Sequence, residues 1–442
     1  MNDRNNGVET FITAFEIEKL YGMYDYKPTA RVGESSQLLI LYGDNGSGKT
    51  TILKLIFSLF SLAPKRGHRT FIARTPFRRF RLTLGHDFSI EVKKLSTQLV
   101  GSFEVLMTEG RRRMFQGTIV ANEKNRVVDE SSVLPLMKAI RQLGIDVFYL
   151  SDDRKTQVGT SEPMIEDLWP SSPDELSEYL TRNLLLTKQS TQKEEPSLDI
   201  AIGRLETWVR NETLKGSLEG EVNANMIYSD VVKRIARSRR ATKTRPKPDI
   251  KALLAALHEI QRRSTRFSGY TPISAPALME ITQIFETSPK ITQEIIANVL
   301  KPYVDAMRAR LNSLQGVQNI VGVFLDTINS FLHHKTIFFD ADGKLRLINR
   351  DSAELLPNML SSGEQQLLLL FCNTVTARDQ ASIFIIDEPE ISLNVKWQRK
   401  LLDALLTSTK ASAVQFLIAT HSLELLSRHK DHVLRLVDTS SR

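Results

Sequence analysis

The run Gly43-Asp44-Asn45-Gly46-Ser47-Gly48-Lys49-Thr50 spaces glycines, a lysine and a hydroxyl as a phosphate cradle requires. Gly46 and Gly48 let the backbone close on phosphate oxygens. Successive N–H groups and a helix start present positive potential to them. Lys49 reaches the β- and γ-phosphates, and Thr50 offers its hydroxyl to Mg²⁺. The apolar run Gln37 to Tyr42 has strand length, and Leu53, Ile56, Phe57 and Phe60 recur at helical spacing. The loop therefore joins a strand to a helix, and the ligand it implies is ATP with Mg²⁺, held by residues Gly43 to Thr50 and by Thr51.

Two further stretches deliver chemistry at the ends of strands. Ser382 to Ile386 is an apolar run suited to a sheet covered on both faces. It hands Asp387 and Glu388 to its C-terminal end, where such sheets bind ligands. Asp387 is the metal partner of Thr50, and Glu388 orients or deprotonates the attacking water. An acid pair here also suits a helix cap, but the cradle in the same chain favours chemistry. Phe416 to Thr420 is a second buried strand, ending at His421; a lone histidine of this kind is more often structural. Finally, Ser361 and Glu364 in Leu360-Ser361-Ser362-Gly363-Glu364-Gln365-Gln366 form a capping box, and Leu367 to Phe371 continue as a buried helix.

In chain order, with the glycine loop first, then the Ser361 segment, the acid strand and the histidine strand, the four segments resemble the ABC/SMC class of ATPase heads. The Ser361 segment stands where that class carries its signature, commonly Leu-Ser-Gly-Gly-Gln, with Ser362 and Glu364 as departures. The resemblance implies an α/β P-loop head in which His421 is the switch histidine, catalytic beside Glu388. Ile391 to Asn394 take the place of the D-loop, and Gln98, Gln116 and Gln157 all stand as candidates for the Q-loop. It also implies that Ser361, Ser362 and Gly363 close on ATP held at Lys49 of a second copy. One set of elements per chain then requires a homodimer or higher homo-oligomer.

The text Ile386 to Asn394, with Trp397-Gln398 and Thr420-His421-Ser422, resembles the ATPases of anti-phage systems of OLD-like, Septu and PARIS type. In OLD nucleases a Toprim domain follows the switch histidine; here the sequence ends at Arg442. The toxic activity is then expected on a separate effector, a Toprim-type nuclease, released by a phage-encoded trigger protein. Size fits the ATPase component of PARIS-type systems. A RecF-like DNA-clamping ATPase and an ABC ATPase subunit of another complex are the competing readings.

The 442 residues are 41% hydrophobic and 25% charged, the balance of a globular protein. The single cysteine, Cys372, allows no intrachain disulfide and suits a cytoplasmic setting. No apolar run reaches the ~18 residues of a membrane span, and the N-terminus lacks a signal-peptide core. The net charge of +8 favours polyanionic partners, DNA among them. The arginines gather at 66–81 and at Arg111-Arg112-Arg113, and a third basic run covers 233–247. These clusters suit phosphate contacts, a protein partner or plain solvation.

Residues 1–154 read as an N-terminal ATPase lobe, 155–330 as a helical insertion and 331–442 as a C-terminal lobe opening on a hairpin around Asp342-Gly343. The insertion reads as several short helices. Prolines at 246, 248, 272, 276, 289 and 302 argue against a long coiled-coil arm.

Overall fold

The structure is a computed structural model that describes residues 11–28, 36–63, 67–128, 131–151, 156–158, 198–215, 249–267, 275–340 and 342–439. The chain packs as two compact units. One comprises Met1–Ser197 with Ala377–Arg442, the other Leu198–Thr376. The hairpin and signature helix thus pack with the helical segment, whereas the texture of the sequence groups them with the C-terminal strands.

The first unit holds two sheets. The antiparallel one has the order β2 (Tyr24–Tyr26), β1 (Ile12–Leu20), β4 (Arg79–Leu84), β5 (Phe88–Lys94), β6 (Phe103–Glu109) and β7 (Arg112–Ile119). The other has the order β14 (Val433–Arg435), β3 (Leu38–Tyr42), β13 (Val414–Thr420), β12 (Ala381–Asp387), β8 (Ile145–Leu150) and β9 (Thr156–Val158). Its first five strands are parallel, and β9 is antiparallel to β8. All seven residues of β13 are buried, as a parallel strand covered on both faces should be. Buried Gln415 links the sheets: its Oε1 accepts from Ile12 N at 2.8 Å, and its Nε2 donates to Ile12 O at 2.8 Å.

Helix α1 (Lys49–Phe60) shares one apolar core with both sheets, through Ile52, Leu53, Leu55, Ile56, Phe57, Leu59 and Phe60. Each such side chain is worth about 1.5–3 kcal/mol on burial, so the helix that begins at the phosphate loop is firmly anchored. The short helices α2 (His68–Arg74) and α3 (Leu134–Arg141) complete this part of the unit.

The second unit opens on a helix over 198–215 (α4), followed by α5 (Ile250–Phe267), α6 (Ala275–Thr287) and α7 (Lys290–Phe331). Leu253, Ala256, Leu257 and Ile260 of α5, spaced i, i+3, i+4, i+7, pack with Phe285, Val304, Leu311 and Leu314. The expectation of several short helices fails at α7, a single helix of 42 residues that carries Pro302 inside it. The missing donor and the ring's clash with the preceding turn together cost about 3 kcal/mol, and burial of Val304, Leu311, Leu314, Val321, Phe324 and Ile328 on the same helix offsets it. A hairpin, β10 (Lys335–Phe339) and β11 (Leu345–Asn349), then leads to α8 (Ser362–Thr376). Cys372 is fully buried there, and burial pushes its thiol well above the ordinary range.

Candidate nucleotide site

Three parallel strands place the chemistry. β3 runs into the glycine loop, β12 ends at Asp387, and β13, which lies between them, ends just before His421. Adjacent parallel strands end on the same edge, so groups hundreds of residues apart in sequence converge.

The loop has the backbone its glycines require. Gly46 and Gly48 sit at φ +81° and +87°, and a Cβ on Gly48 would come within 2.7 Å of Leu20 Cδ2. No side chain caps the start of α1, so its first N–H groups point at the cleft as an anion site requires. Lys49, only 5% exposed, donates to Gly43 O at 2.7 Å and to Asp44 O at 3.0 Å. Ser47 Oγ is buried without a hydrogen-bond partner. Tyr26 Oη donates to Ser47 O at 3.0 Å. Burial, with the nearby Tyr24, Asp438 and Asp44, pushes the Tyr26 phenol up to about 12, so it stays a donor.

Across from the loop, Thr50 Oγ1 donates to Asp387 Oδ1 at 3.2 Å, and Tyr149 Oη donates to Asp387 Oδ2 at 3.0 Å. Glu388 adopts a left-handed backbone, φ 47°, ψ 57°, where a non-glycine residue is strained by about 1–3 kcal/mol. Its N–H is tied to Ala419 O at 2.9 Å. His421 Nδ1 lies 3.4 Å from Glu388 Oε1 and 3.5 Å from Glu390 Oε1.

A cleft of about 390 Å³ opens between these groups, lined by Tyr21, Asn45, Gly46, Gly48, Lys49, Thr50, Thr51, Glu388 and His421. It is of the size that takes a nucleotide-sized ligand. A hydroxyl beside a carboxylate is the hard-oxygen donor set Mg²⁺ prefers. The left-handed glycine turns, uncapped helix start and orphan Ser47 hydroxyl together fit a polyphosphate.

The structure thus brings together the loop residues, Asp387, Glu388 and His421. Ser361, Ser362 and Gly363 belong to the second unit. There the capping box forms: Glu364 Oε2 accepts from Ser361 N at 2.7 Å and from Ser361 Oγ at 2.8 Å. Lys335 Nζ donates to the same oxygen at 2.7 Å. Burial alone would raise the Glu364 carboxyl, but Lys335 and Ser361 hold it below its ordinary value.

Among the Q-loop candidates, Gln98 follows Ser96 in an exposed turn of the first unit. Gln116 bonds Glu104 and Arg113 on the antiparallel sheet. Gln157, on β9, pairs in register with Tyr149. Sequence reasoning missed Tyr21, Tyr26 and Tyr149 and gave Glu390 no role. The signal for Tyr149 is a hydroxyl in the otherwise apolar strand Val147 to Leu150.

The first basic cluster is partly absorbed by the fold. Arg69 is buried against Ser61 O at 3.0 Å, and burial lowers it to about 10. Arg79 pairs with Glu91 at 2.8 Å and Glu18 at 3.2 Å. Arg81 donates to Ser89 Oγ at 3.3 Å. Arg111, Arg112 and Arg113 are exposed, while Arg66 and the run over 233–247 lie outside the described residues.

Residues 38–427, which span every one of these motifs, match the model of a family described as an AAA domain, putative AbiEii toxin, Type IV TA system. The chain belongs to this family. Its fold is that of an α/β P-loop ATPase of ABC type. It is also similar to the lipoprotein-releasing system ATP-binding protein LolD of Ruegeria pomeroyi, 37% identical over 19% of this chain and 34% of that protein. A probable iron chelatin transport ATP-binding protein of Helicobacter pylori is 31% identical over 18% of this chain and 31% of its own length. The chain spans about a third of the length of these curated relatives. The Smc head domain of Pyrococcus furiosus, solved with an extended coiled coil, aligns with 98% of this chain and 96% of that one, at 12% identity and a TM-score of 0.38. No helix among the described residues is long and apolar enough to cross a membrane.

Proposed function

We propose that this chain binds and hydrolyses ATP and that its nucleotide state controls a separate effector in a defence system against phage. The observation that carries the catalytic part is the meeting of Lys49, Thr50, Glu388 and His421 in one cleft, with Asp387 hydrogen-bonded to Thr50. Thr50 and Asp387 would hold Mg²⁺, which would neutralise charge on the phosphates. The loop N–H groups and Lys49 bind and orient the phosphate chain. Glu388 takes a proton from water, and His421, beside it, fixes the carboxylate. Ser361, Ser362 and Gly363 of a second copy complete the site, making the working form a homodimer or larger homo-oligomer.

The defence part rests on the motif resemblance and on the family's description as a putative toxin of a toxin–antitoxin system. The effector is a Toprim-type nuclease and the trigger a phage-encoded protein. Lys49→Ala should abolish nucleotide binding in an equilibrium titration and, with it, protection in an infection assay. Unchanged affinity would remove the cradle from the mechanism. Isolation together with the neighbouring gene products tests the second half: a co-purifying nuclease supports it.

A DNA-clamping reading draws on exposed Arg111, Arg112 and Arg113. Duplex binding that weakens steeply with salt would favour that reading.

A further inference from the structure

We infer that Glu390 is a positioning residue for His421 and, through it, for Glu388; this rests on the ATPase reading above. Glu390 stands two residues beyond Glu388, in the 3₁₀ turn Pro389–Ser392, and is 8% exposed. A buried carboxylate is costly unless donors surround it. Here one oxygen, Oε1, gathers donors from three successive residues of the segment after β13. It accepts from Thr420 Oγ1 at 2.5 Å, from His421 N at 3.0 Å and from Ser422 N at 3.2 Å. The same oxygen lies 3.5 Å from His421 Nδ1. The backbone N–H of His421 is therefore held by this oxygen, and its ring stands between two carboxylates.

A second strap runs in parallel. Gln398 Nε2 donates to Glu390 O at 3.2 Å and to Leu393 O at 2.8 Å, and its Oε1 accepts from Ser422 Oγ at 3.1 Å. Glu390 and Gln398 tie the turn after β12 to the turn after β13. The two turns carry Glu388 and His421, so the ties set the spacing between the two working side chains. Glu390 itself does not line the cleft, so it acts on the reaction only through them. Its Oε2 is buried and has no hydrogen-bond partner.

This geometry separates Glu390 from a mere core acid. Glu390→Gln keeps an acceptor at Oε1 and is expected to retain at least a third of the wild-type kcat. Glu390→Ala removes the anchor. It should lower kcat about 10- to 100-fold, the range for removing an outer group that orients a working one. The affinity for ATP should stay within about twofold in both, since Lys49, Thr50 and Asp387 are untouched.

A double-mutant cycle decides the route. If Glu390 acts through His421, adding Glu390→Ala to His421→Ala lowers kcat no further. Additive losses in the cycle, or loss of ATP affinity in Glu390→Ala, would overturn the assignment while leaving the ATPase reading standing. A wild-type protein with no Lys49-dependent hydrolysis would overturn both.

Discussion

At Glu388 the backbone is held in the left-handed region while its N–H is bonded to Ala419 O. Strain kept by the surrounding sheet is what pre-organises a group for chemistry. Glu388→Gln keeps size and one acceptor but loses the base. Hydrolysis should fall on the order of 10²–10⁴-fold, while ATP still binds, and the variant should accumulate as a closed, ATP-loaded dimer. Single-turnover hydrolysis and size measurement with ATP check both halves. Lys94 offers a pH test of a different kind. Its Nζ donates to Ile72 O at 2.5 Å and Ala73 O at 2.9 Å, and burial lowers it from 10.5 to about 7. Between about pH 7 and 10.5 the unfolded chain binds the proton that the folded one has shed. Stability from this group therefore rises with pH across that window, by at most ~1.4 kcal/mol per pH unit. Denaturant melts from pH 7 to 9 should show the wild type gaining on Lys94→Met as pH rises.

At the scale of elements, α7 shows packing overriding local preference. Pro302 removes a helical hydrogen bond at about 3 kcal/mol. Replacing it by alanine loosens the unfolded chain at a cost of about 0.4–1 kcal/mol, and some ring burial is lost. Pro302→Ala is therefore expected to stabilise the protein by roughly 1–2 kcal/mol in denaturant unfolding; a destabilised variant would mean the ring carries packing the helix needs. Helix α1 is the opposite case. No proline interrupts it, the apolar pattern and tertiary burial agree along it, and the cradle at its start inherits that rigidity.

For the whole molecule, the decisive question is assembly. Ser361 and Ser362 are exposed on the second unit, and the ATPase reading requires them to meet nucleotide on another copy. Ser361→Arg should cost about 1 kcal/mol through the lost helix cap, leaving the protomer folded. It should also block ATP-driven dimerisation and turnover through steric and charge conflict. Sedimentation with and without ATP, beside a turnover assay, checks this. Full turnover by the variant, or by a strictly monomeric wild type, would refute a shared site.

The sequence by itself determined the cradle, the acid strand, the histidine strand and the capping box, because each is a local pattern: a fixed spacing, or an apolar run that ends in a functional group. The strands themselves followed for the same reason, as in β3 and β13, where every or nearly every residue is buried, although β13 begins two residues before Phe416. Only the tertiary structure decided which local groups work together. Tyr149 gained its role because β8 pairs with β12 and its hydroxyl reaches Asp387, 238 residues away. Glu390 gained its role because the turn after β12 meets the turn after β13. The basic cluster near Arg69 and Arg79 divided into structural and exposed charges for a similar reason. Linear charge says nothing of burial, and a carboxylate brought by another strand decides whether an arginine remains available to a partner.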